Sequence, residues 1–383
     1  KRLKEKAIYA MADIFAEAKD AGAIKQLVSD IGPFFDVIPK ARTAKIVRTI
    51  MDKVAAVPDS VAIQFEVCTD CVIWCTEQKR TFLRQRLETR LVQLQLKTER
   101  FTEALTKIGD LVAEVKKIDD KPLLVEIHLT EAQVHHVLSN LPKAKAALTA
   151  ARTNANAIYV APELQADIDM VSGVINAEEK DYKTSYSYFY EAFEAFDSVK
   201  GATAKAKDCF KYMLLCKVMS GDPNDVSALV SGKFGIKHAG TGVNALKAIS
   251  DAYRKRSLKD YSETLVTFKE ELNGDAIISR HLKDLGETLL EQNLIRIIEP
   301  YSCVEISHVA STINLPIVQV EAKLSQMILD AKFSGILDQG QGHLLVFDDS
   351  EADRTYEYSL ATVEKMGLVV ESLFSRAKLI NSV

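Results

Sequence analysis

The sequence of 383 residues is poor in the residues that interrupt helices, with 16 glycines and 9 prolines, and it holds a single tryptophan. So few backbone punctuators argue against a fold of many short strands and tight turns. No apolar run approaches the ~20 residues a membrane-spanning helix needs. The opening Lys1-Arg-Leu-Lys-Glu-Lys6 also lacks the apolar stretch of a secretory leader. Because the chain opens on Lys1 rather than Met, residues are expected to precede it. The six cysteines lack the dense, regular spacing of a disulfide framework. A reducing compartment, cytoplasmic and nuclear, is therefore expected.

Recognisable catalytic chemistry is missing as well. There is no Gly-rich loop ending in Lys-Ser/Thr, no His-Glu-x-x-His and no Gly-x-Ser-x-Gly elbow. Gly240-Thr-Gly242 imitates a dinucleotide loop, but no βαβ pattern surrounds it, and an interhelical turn accounts for it better. Cys68, Cys71 and Cys75 are spaced by three and four, which places them on one helical face with Val72. Zinc would need a fourth ligand and a backbone that lets the thiolates converge, so buried free thiols are expected. Cys209 and Cys216 likewise share a face. The neighbours His135 and His136 point to different sides of a helix, which predicts one buried or half-buried ring and one solvated ring. The expectation is a chain that is not an enzyme, with no catalytic, cofactor-binding or metal residues and no cofactor.

What the sequence does contain is helical periodicity. Apolar residues recur at three and four positions through long segments divided by the few glycines and prolines. Helix starts are predicted at Asp120-Lys-Pro122, at Asp222-Pro223 and at Pro58-Asp-Ser60. Proline suits a first turn whose amides lack partners, and an Asp or Ser oxygen can accept from those amides. A loose repeat links Phe101-x-x-Ala104-Leu105, Ala144-x-x-Ala147-Leu148 and Tyr182-x-x-Ser185-Tyr186, spaced by 43 and 38 residues, with a further match at Gly242-x-x-Ala245-Leu246. Paired antiparallel helices that must stack to bury their apolar faces explain such a repeat, so a right-handed α-solenoid of TPR-like helix pairs is expected. Residues 1–100 carry 18 Lys and Arg against 13 Asp and Glu within a chain of net charge −4, which makes this the basic end. Arg42, Lys45 and Arg48 form a basic helical patch there and are the candidate docking residues of the solenoid.

The texture changes near residue 300. Ser302–Ile306 alternates like a strand, a short helix runs through His308, Val309 and Ile313, and Pro316 opens a longer helix. Gly335–Phe347 then reads as a β-hairpin whose turn uses Gly340 and Gly342. Strand, helix, helix, hairpin is the order of a winged helix. Its candidate recognition helix, Pro316 to Lys332, balances Lys323 and Lys332 against Glu321 and Asp330. Such neutrality favours protein contact over the phosphate contacts that dominate DNA affinity. From Tyr356 to Ile380 a heptad pattern puts Tyr356, Val363, Val370 and Ala377 on one seam position and Ser359, Met366, Leu373 and Ile380 on the other, widened by Leu360, Gly367 and Phe374. This stripe either packs back onto the winged helix or docks into a bundle of helices from other chains.

Several segments carry a family resemblance: Asp275-Ala-Ile-Ile-Ser-Arg-His-Leu282, Leu290-Glu-Gln-Asn-Leu-Ile-Arg-Ile-Ile-Glu-Pro-Tyr301, Val320-Glu-Ala-Lys-Leu-Ser-Gln-Met-Ile-Leu-Asp330 and Gly335-Ile-Leu-Asp-Gln-Gly-Gln-Gly342. The likeness extends back through Phe210-Lys-Tyr-Met-Leu-Leu-Cys-Lys217 and Leu229-Val-Ser-Gly-Lys233. Together they resemble the PCI-domain subunits of the 26S proteasome regulatory-particle lid. The related PCI subunit of the COP9 signalosome is the nearest alternative, but its wing lacks the Gly-Gln-Gly pattern. The resemblance implies a mainly α chain: a solenoid over 1–182, a PCI module over 183–351 with its winged helix at about 300–348, and a C-terminal helix over 352–383. It further implies a structural role in ubiquitin-dependent degradation, clamping lid, ATPase base and core particle together. The implied partners are other PCI lid subunits, a core-particle α-ring subunit and an ATPase-ring subunit of the base, with no nucleic acid and no membrane. Tyr356, Val363, Met366, Val370, Leu373 and Ile380 are the residues expected at a lid helical bundle.

Overall fold

The computed structural model describes residues 2–18, 20–35, 39–57, 60–199, 201–313, 315–347 and 355–381. Among them are twenty helices and one three-stranded sheet. The chain divides into two compact units, one of Lys1–Arg254 with Thr264–Arg280 and one of Lys255–Glu263 with His281–Val383.

The first unit opens with α1 (Arg2–Glu17), α2 (Ala21–Phe35) and α3 (Lys40–Ala56). Eight helices of similar length follow: α4 (Val61–Glu77), α5 (Thr81–Lys97), α6 (Phe101–Ile118), α7 (Lys121–Val137), α8 (Leu141–Asn156), α9 (Pro162–Glu178), α10 (Tyr182–Ser198) and α11 (Thr203–Met219). Their starts advance by 20 or 21 residues, so a helix pair repeats every 40 or 41. Each packs on the next, and α5 also meets α7, and α7 meets α9, as a helical solenoid requires.

The punctuation that keeps this rhythm is a recurring helix end rather than a recurring glycine. Lys79, Glu99, Asp119, Ser139 and Lys180 all adopt positive φ, as do Gly201 and Gly221. At four of the five non-glycine positions the next amide reaches back to the last turn: Arg80 N–H to Cys75 O at 2.9 Å, Arg100 to Gln95 at 3.0 Å, Asn140 to His135 at 2.8 Å and Asp181 to Asn176 at 3.0 Å. This left-handed cap satisfies carbonyls that the helix leaves orphaned. The repeat is thus tighter than the sequence spacing of 43 and 38. Phe101, Leu141 and Tyr182 open equivalent helices, and the buried small residues in register are Ala104, Ala144 and Ser185. The sequence match slipped by about one turn in α8, where Ala147 and Leu148 are also buried.

Small residues set how closely neighbours approach. A Cβ on Gly173 of α9 would fall 2.7 Å from the Phe189 ring of α10, so only glycine admits that ring. Beside it, Ser185 Oγ donates to Gly173 O at 2.7 Å and ties α10 to α9. Local signals also decide the ends. Asp120 Oδ1 accepts from Leu123 N–H at 3.4 Å and caps α7 as its sequence predicts. Ser60 behaves differently: its hydroxyl donates to Val54 O and Val57 O at 2.8 and 2.7 Å, closing α3 rather than capping α4. Asp222 makes no side-chain cap either, and accepts from Ser220 Oγ instead. Pro58 and Asp59 lie outside the described residues.

Three further helices, α12 (Pro223–Ser231), α13 (Lys233–Lys237) and α14 (Thr241–Lys255), extend the first unit. The apparent dinucleotide loop is the entry to α14, with Gly242 already helical. After α15 (Leu258–Thr267), α16 (Lys269–Asn273) and the long α17 (Ala276–Ile298) come β1 (Cys303–Glu305), α18 (Ile306–Ile313), α19 (Ile317–Leu329), β2 (Ser334–Asp338), β3 (His343–Phe347) and finally α20 (Thr355–Asn381). The sheet order is β1-β3-β2 and both pairings are antiparallel, with Val304 and Leu337 each opposite Leu344. Leu294, Val304, Val309, Val320, Leu324 and Leu344 belong to the core this winged helix builds on the end of α17. Its hairpin turn rests on Asp338 Oδ1, which accepts from Gly340 and Gln341 N–H, and on Gly342 at φ +70°.

Candidate interaction surfaces

The chemistry of the interior bears on what the surfaces must do. Cys68, Cys71, Cys75, Cys209 and Cys216 are buried and free, and burial pushes their thiols up, to about 12 for Cys68, Cys71 and Cys209 and about 11 for Cys75 and Cys216. Thiols held there supply almost no thiolate near neutral pH and are poor nucleophiles. Among the described residues no group of three or more His, Cys, Asp and Glu is placed to hold a metal ion. His135 is buried, and its neighbour is not solvated as the sequence suggested: His136 is half-buried, with Nε2 3.5 Å from Glu178 Oε1. Glu178 also accepts from Arg280 at 2.6 Å. Tertiary neighbours therefore cover both sides of that helix.

The winged helix presents a face unsuited to phosphate. Lys323 pairs with Glu291 at 3.0 Å and Glu287 at 3.5 Å, and Lys332 pairs with Glu291 as well. Burial alone would push the Glu291 carboxyl up, yet hydrogen bonds from Lys332 and Lys323 hold it below its usual value. Both lysines of the candidate recognition helix are thus already engaged. Along the outer side of α19 run Val318 (75% exposed), Ala322, Ser325 and Leu329 (83% exposed), spaced four, three and four residues apart. That stripe is apolar and small where a DNA reader carries cations.

On α20 every described side chain from Thr355 to Lys378 is exposed. Tyr356, Val363, Met366, Val370 and Leu373 are each 60–74% exposed, while the side chain of Ile380 lies outside the described residues. Leu360 and Phe374, beside the seam in the heptad, are exposed as well. Val369, not singled out from the sequence, flanks it on the other side and is also exposed. Apolar residues on both flanks make the face broader than a two-stranded coiled coil requires, and fit a helix enclosed by several others.

In the solenoid, Arg42, Lys45 and Arg48 all lie exposed on α3. They are not equivalent. Arg42 Nη1 is 3.3 Å from Glu5 Oε1 of α1, whereas Arg48 opens onto a groove that it shares with Arg86 and Arg90 of α5. Those two arginines were missed. Their one available signal was a spacing of four in Arg86-Leu-Glu-Thr-Arg90, which puts both on one face without revealing that α3 lies opposite.

Helix-pair repeats, a winged helix built on the end of α17 and a terminal helix whose described side chains from Thr355 to Lys378 are all exposed define a PCI-domain architecture. Three family models match the chain: the 26S proteasome regulatory subunit RPN6 N-terminal domain over residues 1–98, the PCI domain over 258–348 and the RPN6 C-terminal helix domain over 352–378. The chain is 51% identical over 381 residues to the 26S proteasome non-ATPase regulatory subunit 11 homolog of Arabidopsis thaliana, covering 100% of this chain and 90% of that protein. It is 46% identical to the probable 26S proteasome regulatory subunit rpn6 of Schizosaccharomyces pombe, covering 97% and 88%. It is 39% identical to the 26S proteasome regulatory subunit RPN6 of Saccharomyces cerevisiae, covering 98% and 88%. The chain belongs to the RPN6 family of 26S proteasome regulatory subunits, also called non-ATPase regulatory subunit 11. This membership decides between the proteasome and signalosome readings in favour of the proteasome.

Proposed function

We propose that the chain is a non-catalytic structural subunit of the proteasome regulatory-particle lid, acting in ubiquitin-dependent protein degradation in the cytoplasm and nucleus. In this reading the solenoid, residues 1–182, reaches a core-particle α-ring subunit and an ATPase-ring subunit of the base. The PCI module, 183–351, sits beside other PCI lid subunits, and the terminal helix, 352–383, enters a bundle of lid helices. The work is bracing, and it needs extended surface rather than a reactive group or a cofactor.

The observation that carries the proposal is the exposed face of α20. A contiguous apolar stripe of this size on a soluble chain marks a surface that another protein covers. Family membership identifies the setting as the proteasome, and the buried, unreactive thiols agree with a scaffold.

The test is Val370→Asp. An aspartate on the seam is solvated in the free chain but loses that solvation at an interface, a cost of about 1–3 kcal/mol or more. Incorporation into purified lid should fall at least ~10-fold while the free chain keeps its unfolding midpoint. Wild-type incorporation of the variant would refute a role for the seam in the bundle.

A further inference from the structure

Among the basic groups of α3, Arg48 differs in having a place to act. It lines a groove of about 250 Å³ with Arg86 and Arg90 of α5 and Glu126 of α7, and Met51, Leu83 and Leu87 supply apolar wall. This volume lies below the ~300–1,000 Å³ typical of small-molecule sites and suits a side chain better than a metabolite. The charges are unevenly matched. Arg90 Nη1 is 3.3 Å from Asp52 Oδ1, an ion pair along the rim. Arg48 and Arg86 make no ion pair or hydrogen bond among the described residues, although Glu126 is near enough to feel both electrostatically. Two unpaired guanidinium groups above an apolar wall make a receptor for a carboxylate on an aliphatic stem.

We propose that this groove receives an acidic side chain, glutamate above all, from an extended segment of a partner protein. The proposal deepens the docking role given to the α3 patch and rests on it for the partner's presence in the assembly. Glu126 then acts as a built-in competitor. It occupies the field of the arginines without pairing with them, so the incoming carboxylate must outweigh it. Recognition is consequently weak per site, selective for a correctly placed acid and sensitive to salt.

The full chain should bind a fluorescent peptide of Glu-Ala repeats, followed by anisotropy, and should not bind one of Lys-Ala repeats. Arg48→Glu with Arg86→Glu should weaken binding at least ~10-fold. Should that pair disturb folding, as judged by thermal unfolding, Arg48→Ala and Arg86→Ala separately should each weaken it by ~3-fold or more. Lys143→Glu, exposed on α8 and outside the groove, should change it less than ~2-fold. Glu126→Gln should tighten binding, because it removes the competitor and leaves the shape. Equal losses at Lys143 and at the groove, an unchanged affinity in Glu126→Gln, or displacement of the peptide by inorganic phosphate at concentrations where chloride is inert would each overturn the proposal. Association with core particles separates it from the docking reading. If the arginine variants lose core association while no acidic peptide ever binds, docking stands and the acidic occupant falls. If they lose the peptide but associate normally, the groove stands and docking through it falls.

Discussion

Helices α10 and α20 are both rich in large apolar side chains, and the structure uses them in opposite ways. In α10, Phe189, Phe193 and Phe196 are buried. Phe193 has the Phe210, Phe234 and His238 rings within 5.7 Å between centroids. In α20, Val363, Met366, Val370, Leu373 and Phe374 all face outward. Burying such a side chain releases about 1.5–3 kcal/mol. The solenoid collects that energy within the chain, whereas the described side chains of α20 stay exposed and, on the proposed bundle role, leave it to a partner. On that proposal stability and assembly draw on different helices, and mutations should separate them.

The largest contrast should come from the same substitution made in both places. Phe193→Ala leaves a cavity among packed rings and should cost about 3–5 kcal/mol, read as a lower urea midpoint. Phe374→Ala should move that midpoint by less than about 0.5 kcal/mol, since its ring touches mainly solvent, and should instead reduce incorporation into the lid. Equal losses of stability would mean that α20 is packed in the free chain and would erase the distinction.

Gly173→Ala sharpens the comparison from inside the solenoid. On an exposed helix such a change gains up to about 1 kcal/mol. Here the new methyl meets the Phe189 ring, and displacing a core aromatic should cost about 1–3 kcal/mol in net stability. A stabilised variant would mean that α9 and α10 can separate freely, leaving the aromatic layer less specific than its geometry implies.

How much of this was legible before the structure depends on whether the information lay along one helix or between several. The order of the winged helix, the hairpin glycines, the single face of Cys68, Cys71 and Cys75 and the extent of α20 are all local periodicities, and they read directly. The repeat was visible but misregistered, because Ala144 and Ala147 are both buried in α8 and composition alone does not say which one matches Ala104. Ser60 and His136 were misjudged for a different reason. The hydroxyl of Ser60 found the carbonyls of the preceding helix, and His136 found Glu178 from two helices later. The groove was half visible: Arg48 stood out, but convergence with Arg86 and Arg90 is a property of stacking. Of the expected bundle residues, the spacing placed the seam and tertiary structure was needed to find that nothing within the described chain covers it.

The finest contrast concerns the caps that time the repeat. Ser139 and Gly221 occupy equivalent left-handed positions, at φ +58° and +85°, and both are exposed. A Cβ on Gly221 would meet nothing within 4 Å, so any cost of Gly221→Ala is backbone strain alone. That strain should lower stability by about 1 kcal/mol. Ser139→Gly removes the same strain but adds freedom to the unfolded chain, and the two partly cancel. A gain of about 0.5 kcal/mol or less is expected, seen as a small rise in urea midpoint. If both substitutions destabilise equally, the serine holds its turn through side-chain contacts. If only Gly221→Ala does, the non-glycine cap at Ser139 is tolerated because the 6→1 hydrogen bond of its turn, Asn140 N–H to His135 O, outweighs the strain it requires.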